Sequence, residues 1–464
     1  MSDALARCRQ ALQRGDLSTA WDALAKERAN VVQQPEYALA WLELLVAAPT
    51  AATTEEDVEE ILQAFPDLPD IATGACAALL SLVELIPPDQ PLTDGSPADR
   101  AVEIAEKALL QPKLEPSTRG YLLINRANGL RRLGPGRYEE AVQSYAEALT
   151  LYPEQGSWWL DFGILHKWRG RFQEAVDCCQ KARAQLGPTR PVLFNLAVSA
   201  IGAGDGQLAY DAFRELEIPV ELAGQERLPF VAEMPPAQIR VPARGPGVGH
   251  GQIADRHTAF EILWVAPLSP CHGVVQSASF RETQVDYGDV VLWDSSPVTV
   301  LKDEAGPIPC FPLITPLHHG DEHRLRFIAL EGEPGAFAEF QSKLEDQALF
   351  FVHRERIIDE YQDSEQTDMS QPVNDARGLL GAEGLEFGKL VLSPNVNLRK
   401  FEKSLNQAVK QTSHLAFACP TLYELLGDTA RAGKEHQAFA GIERHAGKLT
   451  RNRHAENVEK VDLN

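Results

Sequence analysis

Between residues 117 and 216 apolar residues recur at fixed offsets, and small ones alternate with large ones in the same order each time. In the unit counted from Gly156, Trp159, Phe162, Gly163 and His166 fall at positions 4, 7, 8 and 11. Gly170, Phe172, Ala175, Cys179 and Ala182 follow at 15, 17, 20, 24 and 27. Offsets of three and four place these residues on one face of a helix, and the glycine at 15 marks a turn into a second helix. One period of 34 residues later, Leu193, Leu196, Ala197, Ala200, Gly204, Ala209 and Phe213 occupy positions 4, 7, 8, 11, 15, 20 and 24. Upstream, Tyr138, Ala141, Tyr145, Ala148 and Pro153 occupy 17, 20, 24, 27 and 32, after a longer turn at Gly134-Pro135-Gly136. The N-terminus repeats the order with Ala4, Cys8, Ala11, Gly15, Leu17, Ala20 and Leu24. Two degenerate pairs, 35–66 and 69–113, lie between, the second split by Ile86-Pro87-Pro88-Asp89-Gln90-Pro91.

This spacing resembles the tetratricopeptide repeat, a helix–turn–helix of 34 residues. The resemblance covers residues 1–216 and is densest over 117–216. It implies an all-α solenoid of about six hairpins whose first helices line a concave face that binds a peptide or helix of another protein. The groove-facing position 6 is Asn125, Asp161 and Asn195 in successive units, and position 12 is Arg131, Lys167 and Ile201, with Arg132 beside Arg131. Amides at position 6 can pair with the backbone of an extended segment. The cations suit an acidic segment or a C-terminal carboxylate. Leu160 and Phe194 stand where a full carboxylate clamp has polar residues, so a chaperone tail is not the expected ligand.

After Phe213 the helical period fades. Residues 217–258 are rich in Pro and Gly and read as a linker. From 259 the texture is strand-like: 260–265, 273–275, 289–293, 297–301 and 324–330 are short β-branched or aromatic runs. A helix at 334–347 leads to a strand at 348–352, a polar acidic stretch fills 361–377, and a strand at 389–392 precedes helices at 398–412 and 420–447. The expected fold is therefore multidomain: TPR-like solenoid, linker, an α/β (α+β) domain over 259–450, and a polar tail over 451–464. The second domain matches no named family.

The net charge of −22 excludes sequence-independent binding to nucleic acid or anionic membranes. No apolar run reaches the roughly 18–20 residues that span a bilayer. Met1-Ser2-Asp3-Ala4 opens neither a basic nor an apolar signal region, and seven scattered cysteines suit a reducing compartment, so the cytoplasm is the expected location.

Chemistry-bearing motifs are sparse. Gly245, Gly247, Gly249 and Gly251 lack a following Gly-Lys-Ser/Thr, which excludes a phosphate loop. Cys271-His272, Cys310, His318-His319, His323 and His353 contain no Cys-x-x-Cys pair. An imidazole beside Cys271 would activate its thiol. His319-Gly320-Asp321 has the His-x-Asp spacing of iron oxygenases, with His353 or His414 as third ligand. Asp286, Asp289 and Asp294 read as turn formers, and Trp158, Trp159 and Trp168 as core. With no catalytic set and no cofactor motif, the reading is a protein-interaction scaffold rather than an enzyme. An enzyme recruited to a protein substrate by the repeats, and a self-assembling structural subunit, are the alternatives.

Overall fold

The structure is a computed structural model that describes residues 3–50, 53–90, 92–223, 228–244, 259–279, 282–303, 306–352 and 384–461. Its contacts divide into two compact units, Met1–Phe230 and Val231–Asn464.

The first unit is a row of helical hairpins. The pairs are α1 (Asp3–Gln13) with α2 (Leu17–Ala25), α4 (Pro35–Ala47) with α5 (Thr54–Ala64), and α6 (Pro69–Val83) with α7 (Pro97–Leu109). Then come α8 (Pro116–Arg132) with α9 (Tyr138–Leu151), α10 (Gly156–Trp168) with α11 (Phe172–Leu186), and α12 (Arg190–Gly202) with α13 (Gly206–Glu215). A one-turn α3 (Arg28–Val31) joins the first two pairs. Proline opens α4, α6, α7, α8 and α12, where its missing N–H costs no helix bond. Gly15, Gly170 and Gly204 end three inner helices at positive φ, a conformation that carries no steric penalty only for glycine. Asp16 and Asp205 then cap α2 and α13 by accepting from Thr19 N and Leu208 N.

The small positions are where helices meet most closely. A Cβ on Gly163 would lie 3.2 Å from both Cys178 Cβ and Cys179 Sγ. Ala141, Ala148, Ala175, Ala182, Ala197 and Ala209 are fully buried. Large residues fill what remains: buried Tyr145 of α9 stacks on Phe162 of α10, ring centroids 5.2 Å apart. Each such side chain contributes roughly 1.5–3 kcal/mol through burial.

The stretch 217–258 is not a bare linker. β1 (Glu221–Ala223) and β2 (Leu228–Phe230) form a hairpin against α13 at the end of the first unit. β3 (Ala237–Arg244) is a full strand of the second unit. The unit boundary therefore follows Phe230 rather than residue 258. The prolines suggest a loop, yet Pro229 lies within β2 and Pro242 within β3, each with a flank that lacks a partner strand.

The second unit has two layers of sheet. The first holds β3, β4 (Ala259–Ser269), β5 (His272–Val275), β6 (Glu282–Thr283), β7 (Val290–Trp293), β8 (Thr299–Asp303) and β9 (Gly306–His318). Its order is β6-β3-β4-β5-β7-β9-β8, and β3 also pairs parallel with β9 at Gln238–Cys310 through Arg240–Pro312. That seam closes β3, β4, β5, β7 and β9 into a five-stranded barrel. Its buried apolar residues include Ile239 and Val241, Leu263 and Val265, and Val291 and Trp293, each pair spaced two apart along its strand, and Leu292 is buried as well.

The second sheet runs β10 (His323–Glu331), α14 (Ala336–Ser342), β11 (Leu349–Val352), β12 (Leu385–Leu392), α15 (Leu398–Gln411) and β13 (Leu415–Ala418). Its antiparallel order, β11-β12-β10-β13, is the split βαβ arrangement of ferredoxin-like folds. Leu325, Phe327, Phe337, Phe340, Leu390 and Phe401 pack between sheet and helices. α16 (Pro420–Leu425) and α17 (Thr429–Val461) complete the chain, and Ile442 of α17 covers Ile328 and Phe387 on the other sheet face. Two expectations change. The short strand β13 was not read from the sequence, and α17 continues to Val461, through the stretch expected to be a polar tail. The acidic stretch 361–377 and His353 lie outside the described residues.

Candidate functional site

Inner helices α6, α8, α10 and α12 stand side by side, and the polar residues that recur along them bond one helix to the next. Asn125 Nδ2 of α8 donates to the Thr73 carbonyl of α6 at 3.0 Å. Lys167 Nζ of α10 donates to Asn195 Oδ1 of α12 at 2.8 Å, and Asn195 Nδ2 donates to its own helix at Pro191 O. Arg131 of α8 and Asp161 of α10 interact electrostatically across the intervening step. Burial raises the Asp161 carboxyl, while Arg131 and a hydrogen bond from Asn128 oppose the rise. For Arg131, burial acts against the charge, but Tyr145, Asp161 and Glu84 outweigh it and raise its pKa. Tyr145 completes this cluster by donating its hydroxyl to Asn128 Oδ1.

The six sequence candidates thus divide. Asn125, Arg131, Asp161, Lys167 and Asn195 share the inner row and tie its helices together. Arg132 is buried and turned to the backbone after α6. Its guanidinium donates to the carbonyls of Val83, Ile86 and Pro87, at 3.1, 2.7 and 3.3 Å, and holds down the loop after α6. Lys167 is also more deeply set than a groove cation would be, at 2% exposure. Two members of the cluster escaped the sequence reading. Tyr145 occupies a packing position, and Asn128 differs from its counterparts Ile164 and Val198, so neither recurs as a polar signal.

Beside these polar groups lies a set of apolar side chains that the outer helices do not cover. On α10, Leu160, Ile164 and Trp168 recur every four residues as one partly exposed stripe, beside Gly163, which packs on α11. Phe194 of α12 is partly exposed next to Asn195, and Tyr121 of α8 is 50% exposed. Arg190 lies over the Phe194 ring, 5.1 Å from its centroid. Trp168, expected in the core, belongs instead to this open set, while Trp158 is buried as expected.

In the second unit the candidates for chemistry take structural roles. Cys271 and His272 are both buried, and Ser269 Oγ lies 2.5 Å from His272 Nδ1. Burial lowers the His272 pKa to about 4, so the ring is neutral and cannot stabilise a thiolate beside it. His319 pairs with Asp289, Nδ1 to Oδ2 at 3.1 Å, rather than converging with Asp321, and His414 faces Glu333. Among the described residues no three His, Cys, Asp or Glu side chains gather to hold a metal ion. Asp289 also accepts from Arg324 and from the backbone of Gly320 and Asp286. Asp286 accepts from Lys389, which in turn reaches Ser279 Oγ at 2.7 Å. These carboxylates join the barrel to the four-stranded sheet. Asp294, 8% exposed, accepts from Ser296 N as a turn former does.

No family model and no curated protein matches the chain. Among solved structures, it is similar to PilW, described as a widely conserved type IV pilus biogenesis factor, at 15% identity and a TM-score of 0.38, over 46% of this chain and 90% of that one. A MamA structure is 10% identical, with a TM-score of 0.28 over 46% of this chain and 87% of the other. MamA from Desulfovibrio magneticus RS-1 is 15% identical, with a TM-score of 0.29 over 47% and 96%. Scores of this size carry no argument about function. No described helix is long and apolar enough to cross a membrane.

Proposed function

We propose that the first unit is a protein-binding scaffold whose inner helices receive a segment of a partner. One observation carries this reading. Tyr121, Leu160, Ile164, Trp168 and Phe194 stay partly exposed on helices whose other faces are closely packed. The hydrogen bonds of Asn125 and Lys167 tie neighbouring inner helices together, so the surface is organised before a ligand arrives and less entropy is lost on binding. The repeat spacing and its resemblance to tetratricopeptide proteins support the same role. The second unit then serves as a further interaction platform.

The test is affinity capture from native lysate with the wild-type chain beside a Leu160→Glu/Phe194→Glu variant, after circular dichroism has established that both are folded. A protein retained by wild type and lost from the variant supports the reading. Equal retention by both overturns it and moves the interface to the second unit or to self-association.

A further inference from the structure

The charges of the last three hairpins are sorted between their two rows of helices. Inner helices α8, α10 and α12 carry Arg119, Arg126, Arg131, Arg132, Lys167 and Arg190 against the single acid Asp161. Their outer partners α9, α11 and α13 carry Glu139, Glu140, Glu147, Glu174, Asp177, Asp211 and Glu215 against Lys181, Arg183 and Arg214, whereas the inner helices α4 and α6 upstream carry acids only. Part of this contrast is internal pairing, since Arg119 bonds Glu147 and Arg126 bonds Glu140 and Glu106. Arg132 is held by backbone carbonyls. Lys167 is bonded to Asn195, and Arg131 and Arg190 stay on the row that carries the open apolar side chains. Asp161 lies among them, and Glu84 stands 3.9 Å from Arg131. Arg131 Nε, moreover, is buried without a hydrogen-bond partner.

Resting on the groove reading above, we infer that the segment received is acidic and carries apolar or aromatic residues between its carboxylates. In a chain of net charge −22 the outer face repels such a ligand, and the inner row of the last three hairpins is where it is attracted. The apolar residues of the ligand cover Leu160, Ile164, Trp168 and Phe194. Its carboxylates lie toward Arg131 and Arg190, whose guanidinium groups favour oxyanions in a fork geometry. A basic segment fails on both counts, because it meets cations in the groove and is drawn to the outer helices instead.

The experiment is selection of phage-displayed random dodecapeptides on the full-length chain, followed by titration of the enriched peptides in synthetic, fluorescein-labelled form. Enriched peptides are expected to combine Asp or Glu with Phe, Trp or Leu. Their affinity should fall at least tenfold with Arg131→Gln/Arg190→Glu, and also when salt is raised from 50 to about 500 mM. Arg190→Glu alone, at an exposed position, keeps the test valid should the Arg131 change disturb folding. Enrichment of neutral or basic peptides whose binding is lost in Leu160→Glu/Phe194→Glu overturns the inferred ligand charge and leaves the groove reading standing. Peptides indifferent to both variants, or no enrichment, overturn both.

Discussion

Arg324 of the four-stranded sheet and Asp289 of the barrel meet at 2.6 Å, with the Asp289 side chain 2% exposed. The same carboxylate receives the backbone N–H groups of Gly320 and Asp286 and faces the ring of His319. Its oxygens are saturated with donors, which makes a buried charge tolerable and gives the two sheets of the second unit a common fastening point. Asp289→Ala removes the acceptor shared by Arg324 and the N–H groups of Gly320 and Asp286, leaves Arg324 with the Tyr287 carbonyl and Glu322, and should destabilise the unit by about 3 kcal/mol. His319→Ala removes a ring that is 64% exposed and should cost less than about 1 kcal/mol. Urea denaturation of the full chain measures both, and equal effects would exclude Asp289 as the fastening point.

Stability of the second unit should fall as the solution is acidified, in a window set by His272. Its folded pKa is about 4, below the ordinary 6.5, so between those values the unfolded chain binds a proton that the folded chain refuses. The contribution is present above pH 6.5 and is lost as pH drops toward 4, by on the order of 3 kcal/mol in total. His272→Gln should flatten that part of the pH–stability curve. A variant with the wild-type slope from pH 7 to 4.5 would assign the loss to other groups.

Gly202 is a packing glycine at the last residue of α12. A Cβ there would lie 2.4 Å from Phe172 Cδ1. Gly202→Ala should therefore destabilise by about 1–3 kcal/mol through overpacking, although the change improves helix propensity by roughly 1 kcal/mol. With Phe172→Leu in place the cost should shrink. A double-mutant cycle followed by circular dichroism tests this, and strict additivity would remove the contact as the cause.

All seven cysteines are buried. Burial raises the thiols of Cys76, Cys178, Cys179 and Cys419 to about 12, which leaves almost no thiolate at neutral pH. Titration with a chromogenic disulfide at pH 8 should register less than one thiol per native chain, and all seven after denaturation. Rapid native labelling of the adjacent Cys178 and Cys179 would contradict their packing.

How much could be read in the chain differed between the halves for a physical reason. In the repeats each contact is local, so Gly163, Ala175 and Ala182 announce a close approach by their size and spacing alone, and all three are buried in the structure. The barrel hides its signal. β9 carries Pro307, Pro309, Pro312 and Pro316, residues that suggest a loop. Pro307, Pro309 and Pro316 are accommodated because residues 306–310 pair with β8 and residues 313–318 with β7, which leaves a flank where no N–H is needed, and Pro312 ends the short register with β3. β13 is four residues long and gains its place only by pairing with β10. At the candidate site, the recurring Asn125, Asp161 and Asn195 were visible as a row. That Asn125 and Asn195 would be engaged with neighbouring helices was not, because such bonds depend on the distance between repeats.

The parallel seam between β3 and β9 also bears on how the chain comes to be folded. Gln238 and Cys310 pair although the rest of the barrel's strands lie between them in sequence. Bringing such distant segments together has an entropic cost before any contact repays it, whereas the hairpins form from neighbours in sequence. On the ribosome the repeats emerge first and can fold while the barrel is incomplete. The nascent protein thus has its helical row in place before the seam can close, and synthesis itself gives the two units an order of assembly.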